Sequence, residues 1–115
     1  MDRPELDVTF RRMMPTDDIL QYTRNLADRL AAALPGEEAE IRVVLERLAP
    51  DRFRRASIRV GVQFAAGGLE ATVGQTDPDP FLGLRNAFAV LSYRLTSAGK
   101  MAAPEPSPPP ATVAV

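Results

Sequence analysis

Leu6, Val8 and Phe10 alternate with Asp7, Thr9 and Arg11, the two-residue period of a strand with one buried face. Pro15 ends that run. Thr16 or Asp17 can cap a helix, and Asp17 and Asp18 suit the positive end of its dipole. Ile19, Tyr22 or Thr23, Leu26, Leu30 and Leu34 then recur at helical spacing until Pro35-Gly36. A second alternating run sets Ile41, Val43 and Leu45 against Arg42, Val44 and Glu46. After a loop with Pro50-Asp51, a third sets Ile58, Val60, Val62 and Phe64 against Arg59, Gly61 and Gln63. Gly67-Gly68 reads as a tight hairpin turn, and Leu69, Ala71 and Val73 as a shorter fourth strand. Asp79-Pro80 caps a last helix with Pro at its first position. Phe81, Leu84, Phe88, Leu91 and Leu95 give that helix one apolar face, and Gly99 closes it.

The pattern predicts an α+β domain of order β-α-β-β-β-α. The helical link between the first two strands is a crossover, so these strands are parallel; the next two links are hairpins. The simplest result is a four-stranded mixed sheet in order 1-2-3-4 with two helices packed on one face. The other face then carries Thr9, Arg11, Arg42, Arg59, Gln63, Glu70 and Thr72 and is wet. The expected core is Val8, Phe10, Leu26, Leu30, Ile41, Val43, Val60, Val62, Phe81, Leu84, Phe88 and Leu91. Gly83, with Ala87 four residues on, would let a neighbouring helix come close.

The chain has 115 residues, which suits one domain. The folded domain is assigned to residues 1–100. Residues 101–115, MAAPEPSPPPATVAV, contain no apolar period and are rich in Pro, so a disordered tail with polyproline II character is expected. The N-terminal MDRPELDV lacks the apolar stretch of a signal peptide. No apolar run is long enough to span a membrane. A cytoplasmic location is expected, with no membrane partner.

Composition removes much chemistry. With no Cys, disulfides and thiolate metal sites are excluded; with no His, the commonest general base and metal ligand is missing. The serines therefore have no partner base. Asp17/Asp18, Glu37/Glu38 and Asp77/Asp79 sit at helix boundaries or in loops, where capping and solubility account for them. Asp77-Pro78-Asp79-Pro80 lacks the calcium-loop pattern, and Gly67-Gly68 precedes a strand rather than a helix, so it is no phosphate cradle. No catalytic residue, cofactor, metal or small-molecule substrate is expected, and the protein reads as a non-enzyme.

Net charge is −1, whereas a dedicated nucleic-acid binder usually shows a basic excess. Lys100 is the only Lys, so nearly all the cations are Arg. Arg52, Arg54 and Arg55 surround Phe53 in the loop between the second and third strands. Arg24 and Arg29 lie on the first helix, and Arg85 and Arg94 on the second. A solvated surface explains each by itself. Two helices presenting Arg from one side of a sheet could instead track rRNA phosphates along the groove between them.

At this level the chain resembles the ribosome hibernation-promoting factor family, also called ribosome-associated inhibitors. The element order matches, over about residues 6–98. The segment DPDPFLGLRNAF resembles the family's second-helix start, with Asp79, Phe81, Gly83, Leu84 and Ala87 in the expected places. IRVVLER and SIRVGVQFAAGGLEATV resemble its strands and Gly hairpin, and Thr16, Ile19, Tyr22 and Leu30 its first helix. The resemblance implies a factor that occupies the mRNA and tRNA channel of the small ribosomal subunit and blocks translation by contact. It implies rRNA held by basic side chains on both helices and adjoining strands; here Arg24, Arg29, Arg85 and Arg94 come first, then Arg42 and Arg59. Two departures stand out. Val90 and Ser92 or Tyr93 fill second-helix positions that are often basic, and the charges of residues 1–100 cancel. Long-form members add a C-terminal dimerisation domain, and the Pro-rich tail leads one to expect none here. The alternative is a diverged module of the same fold that binds a protein partner or self-associates.

Overall fold

The computed structural model describes residues 4–33, 38–50 and 56–97. Its elements are β1 (Glu5–Arg11), α1 (Asp17–Ala32), β2 (Ala39–Arg47), β3 (Ile58–Ala66), β4 (Leu69–Asp77) and α2 (Pro80–Ser97). The sheet order is β1-β2-β3-β4. β1 runs parallel to β2, and the other two pairs are antiparallel, as the crossover and the two hairpins predict. The expected ends at Pro35-Gly36 and Gly99, the Arg52–Arg55 cluster and the 101–115 tail fall outside the described residues.

Local chemistry explains the boundaries. Thr16 is the cap of α1: its hydroxyl accepts from the Ile19 N–H at 3.2 Å, satisfying a donor that the first turn leaves open. At α2 the Asp79 carboxylate accepts from the Phe81 N–H at 2.9 Å, and Asp77 in turn accepts from the Asp79 N–H at 2.8 Å. Gly67 and Gly68 have φ of 55° and 84°. Two successive positive φ values are what a two-residue hairpin turn requires, and Gly adopts them without a Cβ penalty.

The core lies between one face of the sheet and both helices. Ile41, Val43 and Leu45 of β2 and Ile58, Val60, Val62 and Phe64 of β3 are all buried, and their alternates are not. α2 lies over β3 and β4, and α1 lies beside α2. The helices run side by side in the same direction. Tyr22 meets Phe81 near both N-termini, with ring centroids 5.3 Å apart in an edge-on contact, and Leu26 and Leu30 lie further along beside Phe88. α1 turns Ile19, Thr23, Ala27 and Leu30 inward. Thr23 is tolerated there because its hydroxyl donates to the Ile19 carbonyl at 2.7 Å.

Four expectations are corrected. Phe81 is not core: it sits in the first turn of α2 and is 37% exposed, its ring resting on Tyr22. Val8, Phe10 and Leu26 are only half-buried: Val8 and Phe10 because β1 is an edge strand that the helices cover thinly, and Leu26 because it lines an open groove between the two helices. β4 is as long as β2 and β3, nine residues each, since its pairing with β3 continues to Asp77. Gly83 does admit a close neighbour, but the neighbour is the sheet rather than a helix. A Cβ there would lie 3.0 Å from Cγ2 of Val60.

Candidate nucleic-acid interface

The four helix arginines do not stand together. Arg24 is half-buried; its Nη1 donates to the Pro4 carbonyl at 3.0 Å and to the Asp28 carboxylate at 3.3 Å. Arg94 leans the other way, and its Nη1 donates to the Thr72 carbonyl at 2.7 Å. Each is thus engaged with the main chain beside one of the two edge strands. Arg29 and Arg85 differ. Both are exposed, neither has a hydrogen-bond or ion-pair partner among the described residues, and both line one groove.

That groove runs between α1 and α2, with a volume of about 250 Å³. Leu26 and Leu30 from α1 and Phe88 and Ala89 from α2 make it apolar, and Ser92 adds a hydroxyl. It lies where the two parallel helices face each other, and the small side chains of Ala89 and Ser92 leave the α2 wall open. Arg29 stands on the α1 side and Arg85 on the α2 side. The arrangement offers two guanidiniums that make no ion pair among the described residues, above an apolar floor, which suits an anion carrying an apolar ring better than a bare phosphate.

Arg42 and Arg59 lie on the opposite face of the sheet. Arg42 alternates with buried Ile41 and Val43, and Arg59 with buried Ile58 and Val60. In register, the open face carries Glu5 beside Glu40 at one end, and Arg11, Glu46 and Arg59 across the other. Arg59 lies 3.8 Å from Glu46. Glu5, Asp7, Glu40, Glu46 and Glu70 outnumber Arg11, Arg42 and Arg59 there. One rigid polyanion cannot touch Arg29 and Arg42 at once, since the sheet separates them.

The feature that residue-by-residue selection missed is on α2. From Pro80 to Ser97 the helix contains no Asp or Glu. Its solvent side shows Leu82, Arg85, Asn86, Ala89 and Tyr93, all exposed, with Ser92 half-exposed. Net charge concealed this, because the described carboxylates are elsewhere: on α1 (Asp17, Asp18 and Asp28), on the open sheet face, at strand ends and in the turn before α2. The signal was countable in the sequence, as an eighteen-residue helix without an acid.

No protein-family model matches the chain, and no curated protein matches it in sequence. Solved structures do match in fold. The N-terminal domain of Protein Y from Thermus thermophilus superposes with a TM-score of 0.69 at 20% identity, over 83% of this chain and 98% of that one. A ribosomal subunit interface protein from Coxiella burnetii superposes with a TM-score of 0.66 at 10% identity, over 83% of this chain and 97% of that one. The chain therefore has the fold of these two proteins.

Proposed function

We propose that the chain is a ribosome-associated translation inhibitor, a hibernation factor that binds the small ribosomal subunit through rRNA. The observation that carries this reading is the carboxylate-free solvent side of α2, joined to Arg29 across the interhelical groove. A near-neutral protein can hold a polyanion if its acids are kept off the contact surface. The fold likeness to a ribosomal subunit interface protein supports the reading. The protein works by occupying space on the subunit, in the cytoplasm, with no bond made or broken. Within the site, Arg29 and Arg85 contact phosphates. Arg24 and Arg94 hold the edges of the sheet in place, and Arg42 and Arg59 stand outside the contact.

The test is co-sedimentation of the purified chain with isolated small and large subunits at low salt. The chain should pellet with the small subunit. Absence from the small-subunit pellet at low salt would remove the reading.

A second reading, a module of this fold that binds a protein, is favoured by Phe81 and Leu82, which are 37% and 38% exposed at the start of α2. Under it, a partner covers these side chains and the small subunit is not bound.

A further inference from the structure

We infer that the groove between α1 and α2 is a site for unpaired RNA: one base enters the groove, Arg29 and Arg85 hold the flanking phosphates, and Tyr93 stacks the next base. The inference deepens the ribosome reading and rests on it for the biological target.

The argument begins with the floor. Leu26, Leu30, Phe88 and Ala89 are apolar. An RNA duplex presents phosphates, sugars and a shallow groove of base edges, and none of these gains by contact with such a floor. An unstacked base does gain, because its ring faces are apolar and only its edges are polar. Ser92, on the α2 wall, can meet a base edge with its hydroxyl. The rim supplies the opposite chemistry. Arg29 and Arg85 stand on the two helices, so a strand crossing the groove places a phosphate near each.

Tyr93 extends the site. Core-facing Leu84, Ala87, Phe88, Leu91 and Leu95 define the inner side of α2. At 100° per residue, Leu82, Ala89 and Tyr93 fall on the side furthest from the sheet. Tyr93 is one turn beyond Ala89 and is 62% exposed, more than any other aromatic ring described. A large flat ring left in water beside a cationic groove is the usual platform of a protein that binds single strands without reading sequence. α1 offers no such ring on its outer side, where Gln21 donates to Asn25 at 3.1 Å.

The experiment uses the full chain and two labelled RNA probes, a ten-nucleotide single strand and a hairpin duplex of the same composition, read by fluorescence anisotropy. Wild type should bind the single strand at least tenfold tighter than the duplex. Stacking is worth roughly 1–3 kcal/mol per base, so Tyr93→Ala should weaken single-strand binding about tenfold or more, while Tyr93→Phe keeps it. Ala89→Trp fills the groove without changing charge and should abolish the preference. Both positions are exposed, and unchanged melting would show that the variants fold. Equal or tighter duplex binding overturns the inference, as does wild-type affinity in both Tyr93→Ala and Ala89→Trp. Loss of subunit binding in Ala89→Trp, with no affinity for either probe in wild type, would assign the groove to a protein segment and also overturn it. The two readings fail separately. A chain that pellets with subunits but shows no single-strand preference loses only the inference. A chain that ignores subunits but prefers single strands, in the way these variants predict, loses only the ribosome reading.

Discussion

The guanidinium of Arg94, near the end of α2, donates to the carbonyl oxygen of Thr72 on β4 at 2.7 Å. β4 is an edge of the sheet, so among the described residues no strand lies beyond this carbonyl to donate a hydrogen bond. Arg24 does the same at the other border, where it donates to the Pro4 carbonyl just before β1. Unpaired strand edges invite pairing with other chains, and a cation laid on the edge is a common way to prevent it. Two of the arginines that seemed best placed for RNA are therefore part of the fold.

Two double variants separate the roles. Arg24→Gln with Arg94→Gln should lower stability, by no more than about 1.5 kcal/mol for each bond lost, because both donors remain partly or largely in water. Arg29→Gln with Arg85→Gln should leave melting unchanged and remove most subunit binding. Thermal melting and co-sedimentation on the same preparations check this. Equal loss of binding in the two pairs would place the RNA contact elsewhere.

Gly83→Ala sets two effects against each other. Replacing a helical Gly gains up to about 1 kcal/mol in propensity. The new methyl would meet Cγ2 of Val60 at 3.0 Å. Val60 is fully buried and branched at Cβ, so it has little freedom to turn away. Overpacking of this kind costs about 1–3 kcal/mol, so the substitution should destabilise. Val60→Ala in the same chain should recover part of the loss, a coupling that a double-mutant cycle in urea would measure. A stabilised Gly83→Ala would show that α2 can lift from β3.

Leu84 is fully buried on the inner face of α2, the helix that packs over β3 and β4. Leu84→Ala should cost about 2–5 kcal/mol, readable as a shift in the urea midpoint at constant slope. A loss below about 1 kcal/mol would mean that the cavity closes over at once, contrary to a sheet backing that is pinned by hydrogen bonds on both sides.

The strands, both helices, the strand order and the packing side could all be derived from alternation, helical period and link length. These are local properties, and each acts within a few residues. What could not be derived depends on geometry between elements. Arg24 and Arg29 sit on one helix five residues apart, yet Arg24 is tied to Pro4 while Arg29 has no partner among the described residues and lines the groove instead. Gly83 announced a close approach, but nothing in its neighbourhood told whether a helix or Val60 would come near. Phe81 keeps the core period yet is exposed, because its ring rests edge-on against Tyr22 of α1 at the start of the helix. The candidate surface was legible in one respect that selection of basic residues overlooks: the absence of acids along α2.

Salt dependence measures how many phosphates the chain neutralises. Each contact contributes a slope of about −0.7 in log K against log salt for single strands, and about −0.9 for duplex. Four engaged helix arginines would give a slope near −3 by that scale. Among the described residues Arg29 and Arg85 have no hydrogen-bond or ion-pair partner and line one groove, while Arg24 and Arg94 already hold carbonyl oxygens. Arg42 and Arg59 lie behind the sheet, on a face with more carboxylates than guanidiniums. The expected slope for the single-stranded probe is therefore about −1.4. Such a shallow slope means that much of the affinity survives high salt, because the apolar floor and the Tyr93 ring contribute without counterion release. Titration of the labelled strand at several salt concentrations gives the number directly. A slope near −3 would require Arg24 and Arg94 to leave the sheet edges on binding, and slower amide exchange in β4 of the free chain than of the complex would then be seen. A slope near zero would mean that neither guanidinium meets a phosphate, and the groove would lose its assignment as an RNA site.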